Sequence, residues 1–384
     1  MSRDDCARRV TPSRPSRQTA ANRTNGVPAP YRARFAVIGA GWRSTVYLDL
    51  ARARPDLFEV TALLARRPEE VGNSAGRDIA VVSDLDALLA TRPEFVVVSV
   101  PWEVTPAFIR ELVARGVPVL AETPPAPDLD SLRALWRDVG TSGLVAVAEQ
   151  YPRYPLTATI GALVAEGTIG EPSFVHVSST HEYHAVALIR GLLGAGRGPV
   201  QVTAQSMVVP LLDPLDAAGW TGVAEPRPVV HTLASLVFEN GTRGLYDFTD
   251  NQWWNPLRPD RLTVRGSLGE IHDNVVVRMI GPTAPVISRL ERGISGRGLN
   301  LEGADATTVA FDGRVLHRNR FEGGRFSDDE LAVADLVADA GEWVRGEGPP
   351  PYSLAEACQD HAVALAIRRA AAEGPLVSDH EAWA

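Results

Sequence analysis

No lysine occurs anywhere in the 384 residues: all 38 basic side chains are arginine. Such a chain forms no lysine Schiff base and has no side-chain ammonium to act as a proton donor. Cysteine is almost as scarce. Cys6 and Cys358 are the whole complement; they are too few and too far apart for a disulfide framework or a zinc site, and they fit a reducing, cytoplasmic setting. No apolar run approaches the roughly 20 residues that span a bilayer, so no membrane partner is expected. There is no excess of positive charge either. The 38 basic and 47 acidic residues leave a formal charge of −9, which offers a nucleic acid no electrostatic footing. What is present is a 45% hydrophobic fraction and length enough for two domains with cores of their own.

The clearest local pattern is Phe35-Ala36-Val37-Ile38 followed by Gly39-Ala40-Gly41-Trp42-Arg43-Ser44. The apolar run reads as a buried parallel strand. The glycines read as the turn into a helix ending near Ala53. Strand, Gly-x-Gly turn and helix are the parts of a dinucleotide-binding fingerprint. Gly39 permits the tight turn, Gly41 lets a pyrophosphate approach the backbone, and the helix N-terminus offers it unpaired N–H groups. Ser44 stands at the third position of the pattern, where a small residue still allows close packing. By itself a Gly-x-Gly turn is equally an ordinary strand-to-helix junction.

Strands and helices then alternate. Strands are expected at 58–65, 95–100, 119–121 and 144–147, with helices near 85–90, 103–115 and 129–139. This alternation argues a doubly wound parallel sheet. Ligands of such sheets sit at the carboxyl ends of the strands, where Gly39, Ala65, Pro101 and Glu122 fall. A carboxylate at the end of the second strand would bond the ribose hydroxyls of NAD. Here Ala65 is followed by Arg66 and Arg67, which suits a 2′-phosphate and favours NADP over NAD; the two arginines also read as surface residues of a loop. After Gln150 longer alternating runs appear, and Asn240-Gly241 marks a hairpin. Residues 281–305, rich in Gly, Pro and Arg, read as loop. The fold class is α/β: an N-terminal doubly wound parallel sheet plus a C-terminal α+β domain with an open, mostly antiparallel sheet. The expected partition is a disordered tail over 1–33, a nucleotide domain over 34–152, a substrate and oligomerisation domain over 153–350, and a helix over 351–384 that packs back at the junction.

The order of Gly39-Ala40-Gly41-Trp42-Arg43, Val100-Pro101, Ala121-Glu122-Thr123-Pro124 and Tyr183-His184-Ala185-Val186-Ala187-Leu188 resembles the Gfo/Idh/MocA oxidoreductases. Ile169-Gly170-Glu171-Pro172 and the closing helix extend the likeness from about residue 34 onward. The resemblance implies a Rossmann domain, bound NAD(P), and oxidation or reduction of a sugar, cyclitol or related carbonyl compound. It departs at the chemistry. The family's Glu-Lys-Pro appears as Glu122-Thr123-Pro124, the acidic position near its histidine is Ala187, and Thr105 stands where the family often has histidine.

The remaining chemistry clusters in Thr180-His181-Glu182-Tyr183-His184. His184 takes the family's histidine position, and Tyr183 is a proton donor if its pKa is lowered. His181 lies one helical turn before His184, which puts it toward substrate; with no recognisable third ligand the pair is not assigned to a metal. Trp42, Arg43 and Ser44 fall on the cofactor loop, and Pro101 and Trp102 on the expected nicotinamide wall. Glu122 orients the nicotinamide end or is structural. Thr123 hydrogen-bonds substrate or ribose. Trp253 and Trp254 suit a polyol ring or a subunit interface, since an open sheet with exposed tryptophan often pairs with a second copy. Tyr151 and Arg153 fall at the junction, where Arg153 would hold an anionic substrate group. The leading expectation is an NADP-dependent oxidoreductase, homo-oligomeric through its open sheet. The others are a cofactor-binding sensor or scaffold that has lost the relay, and an enzyme that recycles its nicotinamide during elimination or glycoside cleavage.

Overall fold

The computed structural model describes residues 31–68, 79–216, 218–296, 303–378 and 383. The tail expected over 1–33 therefore lies outside the described residues except at its end, where Ala33 already opens the first strand.

The first sheet is built from β1 (Ala33–Ile38), β2 (Phe58–Leu64), β3 (Val81–Val82), β4 (Phe95–Val98), β5 (Val119–Ala121) and β6 (Val145–Val147). Their order is β3-β2-β1-β4-β5-β6, every pair parallel. This is the doubly wound arrangement expected from the alternating pattern, with its topological switch between β1 and β4. The connecting helices are α1 (Trp42–Ala53), α2 (Leu85–Ala90), α3 (Thr105–Ala114) and α4 (Leu129–Val139). Asp84 and Asp128 cap α2 and α4 by accepting from the backbone N–H groups of Ala87 and Ser131.

Beyond Gln150 come α5 (Pro155–Ala165), β7 (Pro172–Ser178), α6 (Glu182–Leu193), β8 (Val200–Leu211) and a small hairpin of β9 (Leu215–Asp216) and β10 (Gly219–Trp220). Then follow β11 (Arg227–Phe238), β12 (Arg243–Thr249), β13 (Arg261–Gly266), β14 (Gly269–His272), β15 (Val275–Met279), β16 (Pro285–Ile294), β17 (Ala306–Phe311) and β18 (Arg314–Arg318). The chain closes with α7 (Asp328–Val344), α8 (Leu354–Glu373) and β19 (Leu376–Val377). The second sheet has 11 strands in the order β18-β17-β16-β15-β14-β13-β7-β12-β11-β8-β19. It is antiparallel except where β7 meets β12. One face packs on α5, α6 and α8 through residues such as Val175, Val202, Leu236, Phe248 and Ile189.

Residues 281–305 correct an expectation. They are not a continuous loop, because β16 fills 285–294 and seats Leu290 in the core of the second sheet. The glycines and arginines there hide an alternating Val286-Ile287-Ser288-Arg289-Leu290. A second difference concerns α7. The sequence partition placed 328–344 with the C-terminal part, yet Leu331, Ala334, Leu336 and Val337 pack on Phe35, Val37, Phe95 and Val97 of the first sheet. Ser327 and Glu330 form a capping box that starts this helix. Helix α8 touches α4 and β6 on one side and α6 and β8 on the other. The buried Arg190 of α6 is fastened to Asp360 of α8 at 2.5 Å, and Tyr352 donates to the same carboxylate.

Candidate functional site

At the carboxyl end of β1 the chain turns through Gly39 with φ +112°, and a Cβ there would stand 1.9 Å from the Ser99 carbonyl oxygen. Only glycine passes between β1 and the end of β4. Gly41 differs. Its φ is −78°, it is the N-cap of α1, and no heavy atom lies within 4 Å of where its Cβ would be. The turn thus leaves open space over the start of α1, and no side chain caps that helix end. Ser44 is fully buried beneath it and donates to the Ser99 carbonyl at 3.5 Å. Trp42 stands out at 75% exposure.

Arg43 turns inward from the same loop. Its Nε lies 3.0 Å from Glu122 Oε1 and its Nη1 2.8 Å from Asp329 Oδ2. Burial works against the charge, but Glu122, Tyr47 and Asp329 outweigh it and raise the guanidinium pKa. Tyr47 of α1 donates to Glu122 Oε1 at 2.5 Å, and Tyr154 donates to Asp329 Oδ1 at 2.9 Å. With the Gln150 amide nitrogen on the Ala148 carbonyl at 3.0 Å, its oxygen accepts from Arg43 Nη2 at 3.3 Å.

Glu149, the residue before Gln150, faces the other way. Its Oε2 lies 2.6 Å from His184 Nδ1, and its Oε1 accepts from the Tyr151 N–H at 3.1 Å. Its side chain is wholly buried and that of His184 is 8% exposed. Burial pushes the Glu149 carboxyl up to about 8, against the pull of the Tyr151 N–H. Burial, followed by the Arg43 charge, pushes the His184 imidazole down to about 3. Both directions favour a pair without net charge. The bond to Glu149 leaves Nε2 as the imidazole nitrogen available to a ligand.

Aromatic rings line the continuation. Tyr151 lies 4.5 Å from His184 between ring centroids, and His181 lies 5.0 Å from His184 and 5.1 Å from Trp253. His181 Nδ1 is buried without a partner, and burial pushes this imidazole down to about 3. Trp253 and Trp254 are each less than half exposed, at 43% and 42%.

The expected residues therefore separate. The structure brings Arg43, Glu122, Tyr151, His181, His184 and Trp253 into one connected set. Thr123 is half-buried beside Glu122. Pro101 and Trp102 follow the end of β4 and are exposed. Arg66 and Arg67 are exposed just beyond β2. Two assignments need correction. Tyr183 is 3% exposed, its hydroxyl is buried without a partner, and its ring packs toward His361. Burial raises its pKa well above the ordinary value, the reverse of what a proton donor needs. Arg153 is committed elsewhere: it lies 2.5 Å from Asp339 and donates to the Pro351 carbonyl. Glu149 and Asp329 went unread. Glu149 could have been found, because it follows β6 at the same sheet edge as Gly39 and Glu122.

Residues 33–150 match the profile of the Gfo/Idh/MocA oxidoreductase family, NAD-binding Rossmann fold. An uncharacterized oxidoreductase of Schizosaccharomyces pombe is 30% identical over 144 residues, which are 35% of this chain and 39% of that protein. Among solved structures, an oxidoreductase from Agrobacterium radiobacter, in complex with NAD+, L-tartaric acid and magnesium, superposes with TM-score 0.64. It is 18% identical over 91% of this chain and 98% of its own. The WlbA dehydrogenase from Bordetella pertussis, in complex with NADH and UDP-GlcNAcA, gives 0.60 at 16% identity over 91% and 99%. At these identities the two structures show a shared fold.

Proposed function

We propose that this protein is an NAD(P)-dependent oxidoreductase. It would move a hydride between a nicotinamide and a small polar alcohol or carbonyl compound, of the sugar or cyclitol kind. One observation carries the reading. Arg43 of the glycine loop reaches Glu122 and Asp329, Tyr154 donates to the same Asp329, and the Tyr154 ring stacks at 4.9 Å on Tyr151, whose ring lies 4.5 Å from His184. On this reading the nucleotide cradle and a proton-carrying imidazole would be parts of one continuous site.

The turn from Gly39 to Ser44 would hold the pyrophosphate against the start of α1, with Trp42 and Arg43 at its edge. Pro101, Trp102, Glu122 and Thr123 would flank the nicotinamide end. When bound, the nicotinamide supplies the hydride acceptor or donor at its C4. The chain supplies position and a proton. His184 takes the hydroxyl proton in oxidation and returns it in reduction. Tyr151, His181 and Trp253 would wall the substrate, its ring against the aromatic faces and its hydroxyls on the imidazole. Trp254 would stand at the rim.

Purified protein offered NADPH or NADH with keto-sugars and cyclitol ketones, and the oxidised cofactors with the alcohols, tests the reading. Turnover of any one supports it. Tight NADPH binding without turnover across the panel overturns it in favour of a non-catalytic sensor or scaffold.

NADP is the proposed cofactor because Ala65 brings no carboxylate and Arg66 and Arg67 follow it. A charge-assisted bond of about 1.5–3 kcal/mol means that Arg66→Ala weakens NADPH binding roughly 10- to 100-fold and leaves NADH binding unchanged. Fluorescence titration with both nucleotides reads the difference. Equal losses for both would reject the 2′-phosphate assignment.

Self-association through the open sheet belongs to the same proposal. Val277, Met279 and Ile287 are exposed at 40%, 41% and 74%. By the two-residue alternation of strands they lie opposite the core residues Val276 and Leu290. Light scattering on purified protein gives the oligomeric state.

A further inference from the structure

The acidic position that the family places near its histidine is Ala187 here, 2% exposed on an apolar helix. A buried carboxylate nevertheless meets the imidazole, from the end of β6 in the other sheet. We propose that Glu149 is the positioning residue that fixes the tautomer of His184 and sets the pH at which Nε2 exchanges its proton. The inference rests on the oxidoreductase reading for its consequence in turnover, but not for its geometry.

Glu149 is itself held. The Tyr151 N–H takes Oε1, which leaves Oε2 at 2.6 Å from Nδ1. Two proton inventories follow. With one proton between the two residues, it sits on Nδ1 and points at the carboxylate, and Nε2 presents a lone pair. With a second proton, Nε2 carries N–H while the first is shared between Nδ1 and Oε2. During oxidation the substrate O–H would break as the new N–H forms at Nε2, and a bound nicotinamide would supply the acceptor for the hydride, which carries the C–H electron pair with it. Reduction runs the same exchange backward. Glu149 touches no reacting atom. It holds the inner proton, so that the outer nitrogen acts as base or acid.

Other groups bear on this exchange. Arg43 of α1, Glu122 after β5 and Asp329 of α7 act on His184, and the His181 ring stands 5.0 Å away. Tyr183 of α6, Asp360 of α8 and Tyr352 just before α8 feel the Glu149 charge. All of them remain in a Glu149 variant, so a change on substitution belongs to Glu149. Burial holds the Glu149 carboxyl above the ordinary carboxylate range, so with Oε2 2.6 Å from Nδ1 the pair keeps both protons at low pH and loses the outer one as pH rises. Oxidation needs the lone pair and quickens across that transition. Reduction needs the N–H and slows.

The test uses full-length protein in three forms: wild type, Glu149→Gln and Glu149→Asp. Nitrogen-15 NMR of labelled histidine, recorded without nucleotide, reads the His184 tautomer and titration. Wild type should hold the proton on Nδ1 above the transition. In Glu149→Gln the amide N–H donates to Nδ1, the neutral ring keeps its proton on Nε2, and the wild-type transition disappears. Glu149→Asp retains the Nδ1–H form with a displaced transition. With any oxidised substrate, Glu149→Gln should lose the rising limb and about 100-fold or more in kcat, with KM for nucleotide unchanged; Glu149→Asp recovers part. An unchanged tautomer and titration in Glu149→Gln would overturn the proposal. Shifted spectra in a protein that turns over nothing would uphold the pair and reject the oxidoreductase reading. Should Glu149→Gln fail to fold, an Asp variant titrating like wild type would overturn the proposal.

Discussion

His184→Ala is expected to lower kcat by about 100- to 10,000-fold, the range for losing a positioned acid–base group. NADPH affinity should stay within about twofold, since none of the loop contacts of Gly39 to Ser44 passes through the ring. The variant loses the Glu149 partner, so a buried carboxyl is left without its bond to Nδ1. Burial already raises that carboxyl, so it is expected to take up a proton and stay neutral rather than remain as a buried anion. The measurement is steady-state turnover beside nucleotide titration on one preparation. Equal turnover in wild type and variant would remove His184 from the chemistry, whatever the fold.

The second large effect concerns the glycine loop and divides two glycines that look alike in sequence. Gly39→Ala places a methyl group 1.9 Å from the Ser99 carbonyl oxygen, at a φ of +112°. Backbone strain and overpacking together should cost about 2–6 kcal/mol, with a lower melting temperature and loss of nucleotide binding. Gly41→Ala meets nothing within 4 Å, and its backbone is one any residue adopts. Its melting temperature should match wild type. Its nucleotide affinity should fall roughly tenfold or more, because the methyl enters the space a pyrophosphate needs. If Gly41→Ala binds NADPH as wild type does, the phosphate does not sit over this turn.

The first sheet was readable because its information is local. Each strand is a short apolar run, the helix starts carry Gly41, Asp84 and Asp128 or, at α3, a proline in the first turn, and strand order follows from right-handed crossovers. The site was readable only where the chain delivers residues to a strand end, as with Gly39 and Glu122. Tyr183 shows the limit. It precedes His184 directly, but neighbours on a helix point roughly 100° apart. One ring turns to Glu149 and the other to the core beside α8. Asp329 reaches Arg43 across 286 residues, and no local period announces such a contact. Glu149, after β6, meets His184 of α6 without a local signal for the same reason. The C-terminal strands were partly hidden because glycine and arginine in β16 disguised its alternation.

The placement of α7 bears on protein engineering. Residues 33–150 match a family profile by themselves and invite excision as a portable nucleotide module. But the floor of that module is supplied from the far end of the polypeptide, by Leu331, Ala334, Leu336 and Val337, and Asp329 steadies its arginine. A fragment cut at residue 150 should expose Phe35, Val37 and Phe95 to water and precipitate. Rejoining 327–345 to it through a short tether should restore solubility, which makes a non-contiguous graft, rather than a truncation, the minimal transplantable unit.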